Sequence, residues 1–583
     1  MLIFFLLLRA LSSDGAFHLD PQWQRLLYLD LETGPYLLSP ERSAEAEWKK
    51  TLELFRDPQK KGNDHPQCLY PARRLVLERL LGSSAPARVV CPDFDEWMAK
   101  ISPQGVSLVF AGNYPDNPGS LFGHTFLRIH TTTGASHAVL DQAINFSAEV
   151  SDDIGFVYAV KGLVGSYYGG YTLTPYYVKL NEYNEAEGRD VWEYRTDFTP
   201  RETEFLLAHI WELKQRAEFR YFFLSQNCSY FIIRLFDILR PQQRLAQELP
   251  WYVIPLETIK VFSRRGLATA VTYRPSVRLM ARRYTAKLDS RQRRELEALL
   301  DADEEVVSQD PQVLHAAAWQ ISALHSRSDG VLAASLKQKE AVILTKMSRL
   351  EVDDRLELQH AAPDQGHAIG QLAFGVLSQQ KPGLLLEYRL GVHELTDSPL
   401  GYLPLSELAI LKTRLAVEER KVSLNQVDFL SMMVLRPRSI EEREWSWSTR
   451  ANYEHRATLF AAQERQVHLN FLAGTAHQLG DHVATFLAGP FALAQGLRDL
   501  GYGLALEPGL ISRWHRLMLV NRVQVLQRLD QLRAYSHQLV PQSIVTFRHS
   551  TESETQLEAS YPLRLGNFFP SAGQVALKFD HHF

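Results

Sequence analysis

A chain of 583 residues is too long for one compact core, so two or more domains are expected. Its residues are 45% hydrophobic and 22% charged, a globular composition that excludes long disordered or low-complexity stretches. A net charge of -4, with no block of lysine or arginine, excludes nucleic acid as a partner.

The chain opens on Leu2–Leu8, LIFFLLL, an apolar run too short to span a bilayer, followed by small and polar residues up to Gly15-Ala16. This has the shape of a signal peptide over 1–16, with a buried N-terminal strand as the alternative. No later segment has the ~18 uninterrupted apolar residues of a membrane helix.

Residues 17–102 read as a helical module, with short helices at Trp23–Leu29, Glu47–Phe55, Ala72–Leu81 and Phe94–Ile101 separated by polar and Pro-containing links. Cys68 and Cys91 flank the third of these. In an oxidising compartment they pair as a disulfide; the alternative is two unpaired buried thiols. Either way Cys228 is left over.

From Val106 the period changes to two. SLVFAG, HTFLRIH, HAVLDQAINF and DVWEYRTDF read as strands, and Pro200–Arg216 and Ser229–Leu239 as helices. Residues 103–270 are thus expected to form an α+β domain. Residues 271–360 return to charged helical patterns, read as a connector.

The segment 361–583 alternates strictly. Leu384, Leu386, Tyr388, Leu390 and Val392 share one face; so do Trp445, Trp447, Thr449, Ala451 and Tyr453 against Ser446, Ser448, Arg450 and Asn452. Leu557, Ala559 and Tyr561 repeat the pattern. A wall between lipid and a wet lumen requires such faces, and at ~10 residues per strand plus turns the segment makes roughly 12 strands of an antiparallel β-barrel. A soluble β-sandwich alternates in the same way and is the alternative. The last strand carries Val575, Leu577, Phe579, His581 and Phe583 on one face. It resembles the assembly signal of bacterial outer-membrane barrels, which implies the outer membrane and its barrel-assembly machinery as partners.

Two residues stand out for chemistry. His124 opens an alternating strand in GSLFGHTFLRIH; a lone histidine there is more often structural. Cys228, in FFLSQNCSYFIIRLFD, begins a helix that Ser225 or Asn227 can cap. A thiol in the first helical turn meets unpaired N–H groups and the helix dipole, which favour a thiolate, and an adjacent imidazole lowers its pKa further. Taken alone, such a cysteine is more often a small buried hydrophobe. A third group would orient the imidazole. His137, Asp141 and Asn145 share a face of the next strand; Asn145 is the first choice and Asp141 the second. The stretch Lys161–Tyr177, rich in Gly and Tyr, reads as a lid, an acyl groove or a packed loop, with Tyr167, Tyr168, Tyr171 and Tyr176 as candidate substrate contacts. Glu182, Glu187, Arg189 and Asp190 read as structural ion pairs. No HExxH, paired CxxC or phosphate-binding glycine loop is present, so no metal or cofactor is expected.

A strand-borne His before a helix-borne Asn-Cys resembles the order of circularly permuted NlpC-type relatives of papain. More narrowly, SLFGHTFLRIH, AINFSAE, KGLVGSYYGGYTLTPYYVKLNEYNEAEGRDVWEY and FFLSQNCSYFIIRLFD resemble, in that order, the Lnb N-terminal periplasmic domain family over about residues 103–260. That family is associated with lipoprotein N-acylation, and its Cys and His correspond to Cys228 and His124. The acyltransferases of that name carry a helical membrane domain where this chain has barrel-like alternation. The resemblance implies an exported envelope enzyme passing an acyl group from phospholipid through a Cys228 thioester to a lipoprotein amine. The alternatives are a cysteine amidase or peptidase acting on cell-wall peptides, and a barrel whose domain only binds.

Overall fold

The computed structural model describes residues 17–112, 114, 123–131, 140–150, 155–301, 308–326, 328, 330–349, 361–378, 382–418, 421–439, 444–458, 461–495, 499–529, 537–561, 563–564 and 574–583. The expected signal peptide, 1–16, lies outside them, as does His137. Two compact units are present, Met1–His360 and Ala361–Phe583.

The first unit is built on a seven-stranded antiparallel sheet. Its strands are β1 (Pro103–Ala111), β2 (His124–Thr131), β3 (Gln142–Glu149), β4 (Tyr167–Pro175), β5 (Val191–Arg195), β6 (Phe219–Tyr221) and β7 (Ala270–Arg274), in the spatial order β6-β4-β3-β2-β1-β5-β7. Strand β7 pairs with β5 from Val191↔Arg274 to Arg195↔Ala270, so the sheet runs past residue 270, where the helical connector was expected to begin. Among the described residues that connector holds four helices between Val277 and Met347. Helix Pro200–Arg216 starts at a capping box in which Thr199 and Glu202 satisfy each other's backbone N–H.

The N-terminal helices pack against this helix through buried polar contacts. Arg73 lies 2.7 Å from Glu47 with both side chains fully buried, while Glu212 accepts from the Arg73 backbone N–H at 2.9 Å and from the Tyr36 hydroxyl at 3.1 Å. Removing one member of such a buried pair costs about 3–5 kcal/mol, because the other charge is stranded away from water. Cys68 and Cys91 are joined by a disulfide.

The second unit is a closed barrel of twelve full-length antiparallel strands. They are β8 (Gln371–Ser378), β9 (Pro382–His393), β10 (Ser406–Glu418), β11 (Lys421–Val434), β12 (Ser446–Thr458), β13 (Ala461–Leu479), β14 (His482–Gln495), β15 (Asp499–Trp514), β16 (Leu517–Arg528), β17 (His537–Arg548), β18 (Ser553–Ser560) and β20 (Gln574–His582), with a two-residue β19 (Leu563–Arg564) beside β17. The pairing β20–β8 closes the ring, so no full-length edge is left unpaired. Its faces are inverted relative to a soluble sandwich. Along β20, Val575, Leu577 and Phe579 are exposed, whereas Ala576, Lys578, Asp580 and His582 are buried in the lumen. Glu387 gathers Lys412, Arg414 and Lys578 within 2.7–3.2 Å inside the barrel. Such a layout is stable only with lipid outside, which rules out the sandwich.

Candidate active site

Cys228 is the first residue of helix Cys228–Leu239. Asn227 caps it: its Oδ1 accepts from the N–H groups of Ser229 and Tyr230 at 3.1 and 3.3 Å, and its Nδ2 donates to the carbonyls of Phe223 and Val253 at 3.0 and 2.7 Å. Of the two caps the sequence offered, Asn227 is the one used. The backbone around the thiol is thereby fixed from both sides of the turn.

The helix rests on one face of the sheet. Ser229 Oγ lies 2.7 Å from Thr125 Oγ1, and Phe231 stacks on Phe146 with ring centroids 4.1 Å apart. Burial of Phe231, which is fully inaccessible, is worth about 3–5 kcal/mol against alanine. His124 and Asn145 belong to the other face, beside Phe126 and Tyr183. Thiol and imidazole therefore meet at the sheet rim, at the first residue of β2. There His124 and the Thr125 backbone N–H both act on the Cys228 thiol in the direction of its thiolate.

His124 Nε2 donates to Asn145 Oδ1 at 2.5 Å. Asn145 arrives from β3, one step past the Leu127↔Ile144 pair. With Nε2 so engaged, Nδ1 is the ring nitrogen left to address the sulfur. Asp141, the second choice, is not at the imidazole. It accepts from Arg128 Nε at 2.9 Å and from the N–H and hydroxyl of Thr131 at 3.0 and 2.8 Å. It precedes β3, so Asp141 and Asn145 do not share a strand face.

The electrostatics favour a charged pair. Burial would raise the Cys228 thiol, but the His124 charge and hydrogen bond, with the Thr125 N–H and the Ser229 hydroxyl, bring it down to about 7. Burial would likewise lower the His124 imidazole; the Cys228 charge, its hydrogen bond and that of Asn145 outweigh burial and the opposing field of Arg189, and hold it above its ordinary value.

One residue at the site carries no motif. The Cys228 backbone N–H donates to the Tyr221 hydroxyl at 3.3 Å, which sets that hydroxyl beside the thiol. Burial, then the Cys228 charge, raises the Tyr221 phenol well above its usual value, so it stays a neutral donor. The only sequence signal was its position in the aromatic run before the Cys228 helix.

The Gly/Tyr stretch is not a lid. Its core is strand β4, paired with β3 along its length and with β6 at its start. Gly169 is required there, since a Cβ would lie 2.7 Å from the Phe146 ring. Tyr167, Tyr171 and Tyr176 are buried. Tyr171 donates to the Phe231 carbonyl at 3.0 Å, and Tyr176 lies under the Arg128 guanidinium at 4.7 Å. Tyr168 alone of the four is exposed. Glu187 pairs with Arg189 at 2.6 Å and Glu182 with Lys179 at 2.6 Å, while Asp190 accepts from Tyr273 and from the Ser276 N–H.

Residues 93–265 match the Lnb N-terminal periplasmic domain family, and residues 360–563 match a domain of unknown function, DUF7840. No curated protein sequence matches. Similar solved structures include the KdgM porin (8% identity, TM-score 0.22, 36% of this chain and 99% of that one). In-vitro folded OmpT of Vibrio cholerae (7%, 0.20, 37% and 96%) and Omp33 of Acinetobacter baumannii (9%, 0.20, 38% and 100%) are others. The barrel assignment rests on the closed strand pairing and the inverted faces. The chain thus joins an Lnb-type periplasmic domain to an outer-membrane β-barrel, which locates it in the outer-membrane envelope.

Proposed function

We propose that the Lnb-type domain is a thiol acyltransferase in which Cys228 is the nucleophile, His124 its acid–base partner and Asn145 the residue that orients the imidazole. The observation that carries this reading is the convergence of a thiol lowered to about 7 with an imidazole held at its far nitrogen by Asn145. The thiolate attacks an ester carbonyl of a phospholipid, forming a C–S bond. The carbonyl electrons move onto oxygen, where the Tyr221 O–H, and the Cys228 N–H once released from the Tyr221 hydroxyl oxygen, stabilise the oxyanion. As it collapses the C–O bond breaks, and the imidazolium of His124 gives its proton to the lysolipid alkoxide. An amine, in this reading a lipoprotein N-terminus, then attacks the thioester. His124 takes the amine proton, the C–S bond breaks and the thiolate returns.

Phospholipid is the favoured donor because the same chain carries its own outer-membrane barrel. The test is the intact mass of the purified protein after incubation with phospholipid vesicles. A fatty-acyl increment that hydroxylamine removes, and that Cys228→Ala never acquires, is expected. A readily alkylated thiol with no increment moves the assignment to cell-wall peptide amides. A thiol that neither acylates nor alkylates leaves a binding module.

A further inference from the structure

No spacing in the sequence suggested a metal site, yet the barrel brings together donors from distant positions. His367, just before β8, Asp397, just after β9, and His582, the last residue of β20, are all buried, and one donor atom of each lies within 4.8 Å of the others. His367 Nε2 is 3.7 Å from Asp397 Oδ2, and His582 Nε2 is 3.8 Å from Asp397 Oδ1. His393, at the end of β9, stands beside them with Nδ1 3.0 Å from His367 Nε2 and 3.8 Å from Asp397. The donor–donor edges of a tetrahedral zinc site, with Zn–N and Zn–O near 2.0–2.1 Å, are about 3.3–3.5 Å. The two His–Asp separations, 3.7 and 3.8 Å, are within a few tenths of an ångström of that edge.

The surroundings orient these donors as a metal's outer shell does. His367 Nδ1 lies 2.7 Å from the Ala368 carbonyl oxygen, a bond only its N–H can make, so Nε2 carries the lone pair toward the cluster. Tyr402 donates to the His367 carbonyl at 2.7 Å and stacks on its ring at 4.3 Å. Asp397 Oδ2 accepts from Arg389 Nη2 and from the Glu394 N–H, each at 2.7 Å. Its other oxygen, Oδ1, is buried and has no hydrogen-bond partner, although Asp397 is only 1% exposed. A buried carboxylate oxygen without a donor is costly and points to a missing cation. The Arg389 charge does not occupy that role, because Arg389 Nη1 is itself paired with Glu394 at 3.0 Å and its Nη2 with Oδ2. His582 Nδ1 is 3.4 Å from Arg389 Nη2.

We propose that His367, Asp397 (through Oδ1) and His582 bind a divalent transition-metal ion, with His393 adjacent as the fourth donor, and that mixed nitrogen and oxygen ligation suits zinc. The ligands lie on three segments at one end of the barrel, across the seam where the first strand pairs with the last. The ion is a staple for that seam.

The test uses the full-length chain in detergent, in a Cys228→Ala background so that the thiol contributes no site. After stripping with a chelator, zinc chloride is added, unbound metal is removed and the retained zinc is measured by elemental mass spectrometry. The expected result is one zinc ion per chain, lost in Asp397→Asn and in His582→Gln. Heat-modifiable migration on gels, which reports a folded barrel, identifies the variants that count; if Asp397→Asn does not fold, His582→Gln decides. Cobalt(II) in place of zinc is expected to give the intense visible band of a four-coordinate site. Equal zinc retention by the parent and a folded variant, or only the pale spectrum of hexa-aqua cobalt, overturns the proposal.

Discussion

The Tyr221 hydroxyl and the Cys228 backbone N–H share one hydrogen bond, 3.3 Å long, at the start of the Cys228 helix. The N–H donates to the hydroxyl oxygen, which leaves the Tyr221 O–H as a neutral donor beside Cys228. Tyr221→Phe keeps the ring and its packing on Phe146 but removes one donor. It is expected to lower the acylation rate about 10²–10³-fold, the usual loss for one oxyanion-hole donor, with thiol alkylation little changed. Single-turnover kinetics of acyl-enzyme formation measure this.

The thiolate of Cys228 depends on His124. Alkylation by iodoacetamide is expected to rise with pH around an inflection near 7 in the parent protein. In His124→Ala the inflection moves up toward the ordinary thiol value of about 8.5. Asn145→Ala leaves the imidazole in place but free to turn. It is expected to slow acyl transfer about 10²-fold while shifting the alkylation profile far less than His124→Ala does.

Asp141 is a stability residue in this fold. Burial would raise its carboxyl, but hydrogen bonds from His130, Thr131 and Arg128 outweigh that and hold it below its ordinary value. A carboxyl lowered on folding stabilises the protein above its unfolded pKa of about 3.9, and the contribution is lost as pH falls through the lower, folded value. Asp141→Asn is therefore expected to lower the stability of the first unit by about 1–3 kcal/mol at pH 7. The gap should close on acidification below about pH 4, as followed by thermal unfolding at a series of pH values.

The Cys68–Cys91 disulfide closes a loop of 23 positions in the helical segment. By loop entropy it is worth about 3 kcal/mol. Reduction, or the double change to serine, is expected to lower the unfolding temperature of the first unit and to leave barrel heat-modifiability unchanged. Circular dichroism and gel migration separate the two effects.

Local chemistry was legible from residue order alone. Strict alternation from Leu384 to Phe579 required two faces of opposite polarity, because side chains on a strand point to opposite sides whatever the partner. The cap of the Cys228 helix followed from Asn227 being next to it, since capping spans only three residues. Which face points outward needed the tertiary structure: only ring closure put Lys578 and Glu387 inside and Leu577 outside. The choice between Asn145 and Asp141 depended on where β3 begins, and strand register is set by cross-strand pairing that no single segment contains. Lys161–Tyr177 was misread because its glycines resemble a loop; Gly169 is there so that Phe146 can pack over a paired strand. Tyr221, and the meeting of His367 with Asp397 and His582, left no pattern in the sequence. Tyr221 is seven positions from Cys228 but reaches it only through the turn between β6 and the helix. The barrel ligands are 30 to 215 positions apart until the closed barrel brings them within a few ångströms.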